Sequence, residues 1–381
     1  MTSTAAETTV PEQADLDQFR SEVAAFLADS RASGDACPSY GAILTPGLYD
    51  QARIWQRYCY DHGFAGIHWP RAHGGQGRSR AHSAVWYEEC ARADVAPYLN
   101  LQGIVLAGEA LLRAGTEEQQ EALLGPTIRG DIVWCQLFSE PGAGSDLAGL
   151  ATRAERDGDV YRVNGQKVWS SNADVADYAI LMARTDPAAP AHKGISFFCY
   201  DMSLEGTDVR PLRQMTGDAE FCEVFLTDVA MPADARLGND GDGWRIAMEV
   251  LQDERGSFGE AGAIGLSRRL DELKDAADSS DPHTRDRTLD LLARGRALSY
   301  LMAGNDGDGS RAPISKLMRS ELDFAATSAE IDIAGADALC TDTDVAERFL
   351  YSPGMRIAGG SSEIQRNIIG ERLLGLPREP R

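Results

Sequence analysis

Apolar residues recur at three- and four-residue steps through the first third of the chain. This spacing places them on one face of an amphipathic helix, and the first series consists of Leu16, Phe19, Val23, Phe26 and Leu27. Helical stretches separated by Gly/Pro loops continue to about residue 130. Within them, Thr116-Glu-Glu-Gln119 has the form of a capping box, which marks a helix start. The pattern predicts an N-terminal helical domain over residues 1–130.

The pattern changes to alternation near Ile132. β-Branched and aromatic residues alternate with polar ones in 160–164, 178–182 and 195–200, which is typical of half-buried strands. Asp157-Gly-Asp159 and Asn164-Gly165 supply turn residues, and Asn-Gly is a strong hairpin marker. We therefore expect a small, mainly antiparallel middle β-barrel domain over residues 131–237.

Helical periodicity returns after Gly243. Trp244, Met248 and Leu251 begin one helix, and two more helices are predicted over about 286–304 and 313–335. The third region, 238–381, is therefore predicted to be a C-terminal helical bundle. The fold class is α+β, mainly α.

Composition limits the classes of partner. The 381 residues carry a net charge of −22, which argues against nucleic acid or an anionic membrane as the main partner. The N-terminus has neither a basic nor an apolar signal region, and no apolar run reaches the roughly 18 residues of a membrane span. The seven cysteines form no C-x-x-C pair, which favours reduced thiols in a cytoplasmic protein. Three histidines in a Gly-rich stretch, His62, His68 and His73, fit a surface loop better than a metal site.

Two segments in the middle of the chain have residues suited to binding a flat cofactor. In the first, Trp134-Cys-Gln-Leu-Phe-Ser-Glu-Pro-Gly-Ala-Gly-Ser-Asp146, a strand enters a turn whose glycines allow a ligand close to the backbone. In the second, Asn164-Gly-Gln-Lys-Val-Trp-Ser-Ser171, a hairpin turn is expected to carry an indole and two hydroxyls onto the next strand. Taken alone, the first segment fits a plain loop better than a binding site, and Trp169 alone fits core packing equally well. Neither segment is a P-loop or a G-x-G-x-x-G fingerprint.

Six motifs, in order along most of the chain, resemble the acyl-CoA dehydrogenase family. They are "LFSEPGAGSD", "VNGQKVWSS", "ADYAILMARTD", "DVAMP", "GDGWRIAM" and "GGSSEIQRNIIGERLLGLPR". The resemblance implies the same three-part fold, in which the C-terminal helical bundle is a four-helix bundle, and an FAD whose isoalloxazine lies between the β domain and the bundle. It also implies a reaction in which an acyl thioester loses its α-hydrogen as a proton and its β-hydrogen as hydride to flavin N5.

The resemblance assigns roles to individual residues. Phe138 and Ser139 would contact the pyrimidine side of the flavin, Trp169 would flank the ring, and Ser171 would place its hydroxyl at N5. Ser145 would lie near the cofactor phosphates and the thioester tail, whereas Ser361 and Glu363 would meet the nucleotide portion. The implied cofactor-binding set also includes Gly144 and Ser170, and the substrate-binding set is Ser145, Arg255 and Gly360.

The α-proton is weakly acidic, so the reaction requires a carboxylate in a dry pocket with its pKa raised towards neutral. Many family members carry this base where the present chain has Gly359. A second branch of the family carries it on the first bundle helix, at the position of Glu254. Ala247, Leu251 and Glu254 share one helical face, which favours Glu254 as the catalytic base. The alternatives are a surface Glu254 paired with Arg255, and Glu363 as the base.

Two departures from the family pattern concern the assembly. The R-x-x-F-G motif that reaches FAD in a neighbouring subunit is absent from 277–285, and a family glycine pair is reduced in 332–336. A homodimer or tetramer is expected, with an α2β2 assembly as the alternative. The expected electron acceptor is an electron-transfer flavoprotein. Alternative functions are an acyl-carrier-protein dehydrogenase or a flavin oxidase or monooxygenase of natural-product metabolism, and a non-catalytic subunit of a heteromeric dehydrogenase.

Overall fold

A computed structural model describes residues 13–40, 46–278, 280–303, 311–339 and 343–378 of the chain. Within these ranges, the side chains of residues 46, 253–260, 303, 337 and 339 are left out. The chain divides into two compact units, residues 1–134 and 135–381. No helix in the described ranges is both long enough and apolar enough to cross a bilayer.

The first unit is helical, as predicted. Its helices are α1 (Gln13–Ser33), α2 (Tyr49–Asp61), α3 (Arg80–Ala93), α4 (Gly108–Ala114) and α5 (Glu117–Arg129), and a π turn, Gly103–Ala107, runs directly into α4. The predicted capping box begins α5: the Thr116 N–H donates to Gln119 Oε1 at 2.8 Å, and the Gln119 N–H donates to Thr116 Oγ1 at 3.3 Å. Stacked aromatic rings form part of the core, with centroids 4.4 Å apart for Phe26 and Phe64 and 5.5 Å apart for Phe64 and Trp86.

The second unit begins with the mainly antiparallel sheet that the alternating pattern predicts. Its strands are β1 (Trp134–Leu137), β2 (Arg153–Asp157), β3 (Val160–Ser171), β4 (Tyr178–Arg184), β5 (Ile195–Asp201), β6 (Thr207–Leu212), β7 (Phe221–Pro232) and β8 (Arg236–Leu237). The order is β6-β7-β3-β2-β4-β5-β8, with β1 beside β4. The pairings of β2 to β8 are antiparallel, except for a short parallel contact between β2 and β4.

One predicted hairpin is present and the other is wrong. The turn at 158–159 joins β2 to β3, but Asn164 and Gly165 lie inside β3, where the register against β7 shifts. The Asn164 side chain accepts the Asp228 N–H at 2.9 Å instead of closing a turn. Gly165 permits close packing, because a Cβ there would lie 2.2 Å from Thr152 Oγ1. The Asn-Gly pair therefore marks a bulge in a long strand, and the indole and hydroxyls lie on that same strand.

Helices form the rest of the second unit: α6 (Gly243–Ala276), α7 (Pro282–Ala303), α8 (Ala312–Ala334), α9 (Asp344–Met355) and α10 (Ser362–Ile368). The positions of α6, α7 and α8 agree with the three predicted helices, whereas α9 and α10 were not predicted individually. Buried leucines of α6, α7 and α8 form one apolar core, and Thr327 Oγ1 of α8 lies 3.2 Å from Ser352 Oγ of α9. The fold class is therefore confirmed.

The start of α6 packs closely on the sheet. A Cβ at Gly243 would lie 2.5 Å from the Ser196 carbonyl carbon on β5, so only glycine allows this approach. Ile246, Ala247 and Val250 follow on the helix and are buried. This packing fixes the helix that carries residue 254 against the sheet that carries Trp169.

Candidate active site

The Gly/Ser turn after β1 is closed by backbone hydrogen bonds and has an exposed tip. The backbones of Glu140 and Ala143 exchange two hydrogen bonds of 3.0 Å. Gly144 and Ser145 are exposed, and a Cβ at Gly142 or Gly144 would meet nothing within 4 Å. The backbone around the tip is therefore open to a ligand.

Phe138 and Ser139 lie between β1 and this turn. Phe138 is buried and packs edge-on against Phe197, with ring centroids 5.6 Å apart. Ser139 is half-buried, and its carbonyl accepts the Val168 N–H at 2.9 Å. This hydrogen bond brings the first sequence motif directly against the second.

A buried ion pair joins the same two segments, and the sequence reasoning missed it. Lys167 Nζ donates to Glu140 Oε1 at 2.8 Å and to the Phe138 carbonyl at 3.0 Å. The Glu140 carboxylate also accepts the N–H groups of Ala151 at 2.6 Å and Thr152 at 2.9 Å. The sequence carried no clear signal for this pair, because Lys167 lies in a strand that contains several other polar residues and Glu140 lies in a turn.

Both members of the pair are ionised at neutral pH. Burial is the largest influence on Glu140 and would raise its pKa, but the Lys167 charge and the hydrogen bonds together lower it. Burial lowers the pKa of Lys167 to about 8, against the opposing attraction of Glu140. Lys167 therefore remains protonated at pH 7, paired with the Glu140 carboxylate, although its side chain has no solvent exposure.

The end of β3 presents the indole outward. Trp169 is 60% exposed and has a φ of +60°, a left-handed conformation that is uncommon for a bulky residue. Its ring lies edge-on to Phe221 on β7 at 6.0 Å. Ser171 is half-buried, opposite Phe221 in the register. An exposed indole beside a hydroxyl is a suitable wall for a flat ring, and core packing of Trp169 is excluded.

Ser170 differs from its two neighbours. It is fully buried opposite Cys222, and its Oγ has no hydrogen-bond partner within the described residues. Its hydroxyl is therefore directed away from the surface that presents Trp169.

The loop after α9 is built around two glycines in left-handed conformations. Gly359 has a φ of +67° and Gly360 a φ of +94°. The Gln365 side chain donates to both of their carbonyls, at 3.0 and 3.3 Å. Ser361 caps the start of α10, and its hydroxyl accepts the Ile364 N–H at 3.4 Å.

Glu363 has the wrong surroundings for a base with a raised pKa. It is exposed, and its carboxylate lies 3.6 Å from the Arg366 guanidinium. Hydrogen bonds from its own backbone N–H and from Ser361, followed by the charges of Arg366 and Arg356, lower its pKa. This environment stabilises the carboxylate and weakens it as a proton acceptor.

The side chains of Glu254 and Arg255 lie outside the described residues. The backbone of both is helical within α6. Earlier on the same helix Ala247 is buried and Leu251 is half-buried. Ala247 and Leu251 lie on the helical face that the sequence analysis assigned to Glu254. At these two described positions that face is turned away from solvent.

Another buried carboxyl, also missed from the sequence, lies beside Trp169 and Ser171. The Glu220 carbonyl accepts the Asn172 N–H at 2.9 Å, and its side chain is 5% exposed, with Oε2 unpartnered among the described residues. Burial, followed by the charges of Asp218 and Glu347, raises the pKa of Glu220 to about 6. Glu220 also interacts electrostatically with Tyr351 of α9, the helix before the glycine loop. Its burial depends on that distant helix, so local sequence carried no signal.

Other chemical classes receive no support from the described residues. They contain no group of three or more histidine, cysteine or acidic side chains that could hold a metal. Six of the seven cysteines are described, all buried and free, as expected for reduced thiols, and Cys340 lies outside the described ranges.

The sequence matches domain models of one family along most of its length. The models of the acyl-CoA dehydrogenase N-terminal, middle and C-terminal domains match residues 13–131, 135–229 and 241–374. Acyl-CoA dehydrogenase IpdE1 of Mycobacterium tuberculosis is 38% identical over 96% of this chain and 99% of its own length.

Two solved structures share the fold. One, described as the Tcur3481-Tcur3483 steroid ACAD, has a TM-score of 0.80 and 26% identity and covers 98% of this chain and 100% of its own. The other, the ChsE4-ChsE5 complex of Mycobacterium tuberculosis, has a TM-score of 0.79 and 27% identity, with the same coverage. The resemblance seen in the motifs is thus confirmed. This chain belongs to the acyl-CoA dehydrogenase family of FAD-dependent oxidoreductases.

Proposed function

We propose that this protein catalyses the α,β-dehydrogenation of an acyl thioester, with Glu254 as the base that removes the α-proton. The observation that carries the proposal is the joined pair of segments around Ser139 and Trp169, which offers open backbone on one side and an exposed indole on the other. When bound, FAD would supply the acceptor for the β-hydrogen as hydride. The proposed domain limits are 1–130, 131–237 and 238–381.

The donor groups of this chain fit the proposed cofactor. The Ser139 N–H and hydroxyl have no hydrogen-bond partner in the described part of the chain, so they are available to a polar ring edge. Trp169 would cover the ring, Ser171 would donate at its edge, and Phe138 would support the turn from behind. Ser145 and Gly144 at the exposed tip would approach the phosphates and the thioester tail, whereas Gly360, Ser361 and Glu363 would contact the ligands from the glycine loop.

Among the three base positions that the family resemblance offers, 254, 359 and 363, the other two are unsuitable, which supports Glu254. Position 359 is a glycine, and Glu363 is exposed with a lowered pKa. A base on α6 follows residues that are already buried, Ala247 and Val250. Burial of a carboxylate among apolar groups raises its pKa, which is what proton abstraction at neutral pH requires.

The decisive experiment is anaerobic flavin reduction by acyl thioesters in wild-type protein and in two matched variants. Glu254→Gln keeps the size of the side chain and removes the base, so reduction should slow by at least about a hundredfold, within the usual range for general-base catalysis. Glu363→Gln should leave the rate nearly unchanged. The opposite ranking of the two variants would move the base to the glycine loop.

We further propose a bulky, ring-containing acyl group and a heteromeric α2β2 assembly. Both follow from the similarity to a steroid ACAD and to a two-component complex, together with the missing R-x-x-F-G motif in 277–285. Mass measurement of the protein expressed alone and with a neighbouring family member distinguishes this assembly from a homodimer or homotetramer. Arg255 is proposed to contact the thioester.

Electrons are proposed to leave through an electron-transfer flavoprotein. Turnover with a ferrocenium salt and none with NAD+ is expected, since the chain has no nicotinamide fingerprint. Rapid reoxidation of the reduced protein by O2 would favour the oxidase alternative instead. A preparation that stays colourless with added FAD, alone and with its partner, would favour a non-catalytic subunit.

A further inference from the structure

Lys167 occupies a place where an ammonium group is costly. The side chain has no solvent exposure, and desolvating a charge costs several kcal/mol unless good geometry offsets it. Here, two acceptors lie within 3.0 Å, the Glu140 carboxylate and the Phe138 carbonyl. A hydrophobic residue of similar size would fill the space at lower cost, so the charge calls for a reason beyond packing.

The hydrogen bond to Phe138 sets the direction of one peptide group. In a trans peptide, the carbonyl of residue 138 and the N–H of residue 139 point in opposite directions. Since Lys167 draws the carbonyl into the interior, the Ser139 N–H faces away from it. The next carbonyl, that of Ser139, is held by Val168, which leaves the Ser139 N–H as the donor presented outward.

The same lysine lies two residues before a strained position. Trp169 is held at a φ of +60°, and the register of β3 against β7 shifts between Lys167 and Ser170. Bulky residues persist in this conformation only where the surroundings fix it. Lys167 and the Val168 hydrogen bond anchor the strand immediately before the shift.

We infer that the Lys167–Glu140 pair is a positioning device that sets both walls of the cofactor pocket, the Ser139 N–H on one side and the Trp169 indole on the other. Glu140 holds the ammonium and is itself held by the N–H groups of Ala151 and Thr152. Lys167 acts on a ligand only through Phe138 and Trp169. The inference rests on the proposed FAD site.

The test compares Lys167→Met with a matched control, Arg269→Met. Arg269 forms a partly buried ion pair in the bundle, 3.0 Å from Glu330 and 2.9 Å from Asp323, so its loss also lowers Tm. Loss of the lysine donor should weaken FAD binding by about tenfold or more, the usual effect of a lost charged hydrogen bond. It should also shift the visible flavin spectrum, whereas the control should change neither.

Hydrogen exchange of the FAD-free protein provides a second readout. Amide protection at Val168 and Ala143 should fall in Lys167→Met and stay at the wild-type level in Arg269→Met. If Lys167→Met does not fold, Glu140→Gln replaces it, because this variant removes the charge that holds the ammonium and keeps the side-chain size.

The outcomes separate this inference from the proposed function. A wild-type protein that binds no FAD refutes the FAD site, and the exchange data then decide whether the pair orders the two segments. A folded Lys167→Met or Glu140→Gln protein that binds FAD within twofold of wild type, with an unchanged spectrum, overturns the positioning role.

Discussion

Replacing Glu220 by glutamine should stabilise the protein at neutral and alkaline pH. The Glu220 side chain is 5% exposed, and Oε2 has no hydrogen-bond partner among the described residues. The charged and titratable groups that influence it are Asp218, Glu347 and Tyr351, none of them a cation. A carboxylate in these surroundings is destabilised by burial and by like charge, and glutamine removes the charge at nearly constant volume.

The magnitude follows from the pKa of Glu220, which burial and the two neighbouring acids raise from 4.5 to about 6. Since each pKa unit corresponds to 1.36 kcal/mol, the folded state carries a penalty of about 2 kcal/mol above pH 6. Between pH 4.5 and 6 the folded protein binds more protons than the unfolded chain, so the contribution of Glu220 to stability falls as pH rises through this window. Below pH 4.5 the penalty disappears.

Thermal unfolding of wild type and Glu220→Gln at pH 8 and pH 5 measures this effect. At pH 8 the variant should unfold roughly 4–8 °C higher, since a change of 1 kcal/mol shifts Tm by about 2–4 °C at this domain size. At pH 5 the difference should shrink to less than half. Glu155→Gln, an exposed substitution on β2, serves as the control and should stay within about 0.5 kcal/mol of wild type at both values. A Glu220→Gln protein that is less stable than wild type at pH 8 would mean that the hydrogen bond from the Glu220 backbone N–H, which lowers the pKa, outweighs burial and like charge.

Two further substitutions test the walls of the proposed pocket. Trp169→Ala removes an indole that is 60% exposed; it should weaken FAD binding or shift the flavin spectrum, as absorbance titration will measure, while Tm changes little. Gly360→Ala places a Cβ 2.6 Å from Gln365 Nε2 at a φ of +94°; we expect a loss of about 1–2 kcal/mol in unfolding free energy and slower flavin reduction, and wild-type values of both would show that the loop tolerates the displacement.

Periodicity was sufficient to predict the layout of the chain. The three- and four-residue steps of α1 and the Thr116 capping box are local patterns, so the sequence contains all the information that they need. The hairpin predicted at Asn164-Gly165 was wrong because tertiary packing overrode a strong turn signal. The glycine is required for close approach to Thr152, a contact that cannot be identified from residues near it in sequence.

The residues of the candidate site also fall into those that sequence motifs identified and those that depend on tertiary packing. Motif positions predicted cofactor contacts for Trp169 and for the Gly/Ser turn. In the structure the indole is exposed and the backbone at Gly142 and Gly144 is open, and the cofactor contacts themselves stay predictions. The burial of Lys167 and Glu220 depends on which segments pack over them, the Gly/Ser turn in one case and α9 in the other. Alternation alone assigned neither residue a role, because a charged residue in a strand is ordinarily placed on the solvent side.

The conformation of the glycine loop is a reason to place the catalytic base elsewhere in this chain. At a φ of +67°, Gly359 has a backbone conformation that costs an L-residue roughly 1–2 kcal/mol. The loop is fixed from outside as well, because Arg356 and Ser362 both bind Glu321 on α8, at 3.1 and 2.6 Å. A carboxylate at 359 would therefore enter a strained, anchored backbone. Glu363 is available one turn later but is exposed and paired with Arg366. Helix α6 begins closely packed against β5. A base placed on this helix avoids both the backbone strain at 359 and the exposure at 363, which is the physical argument for Glu254.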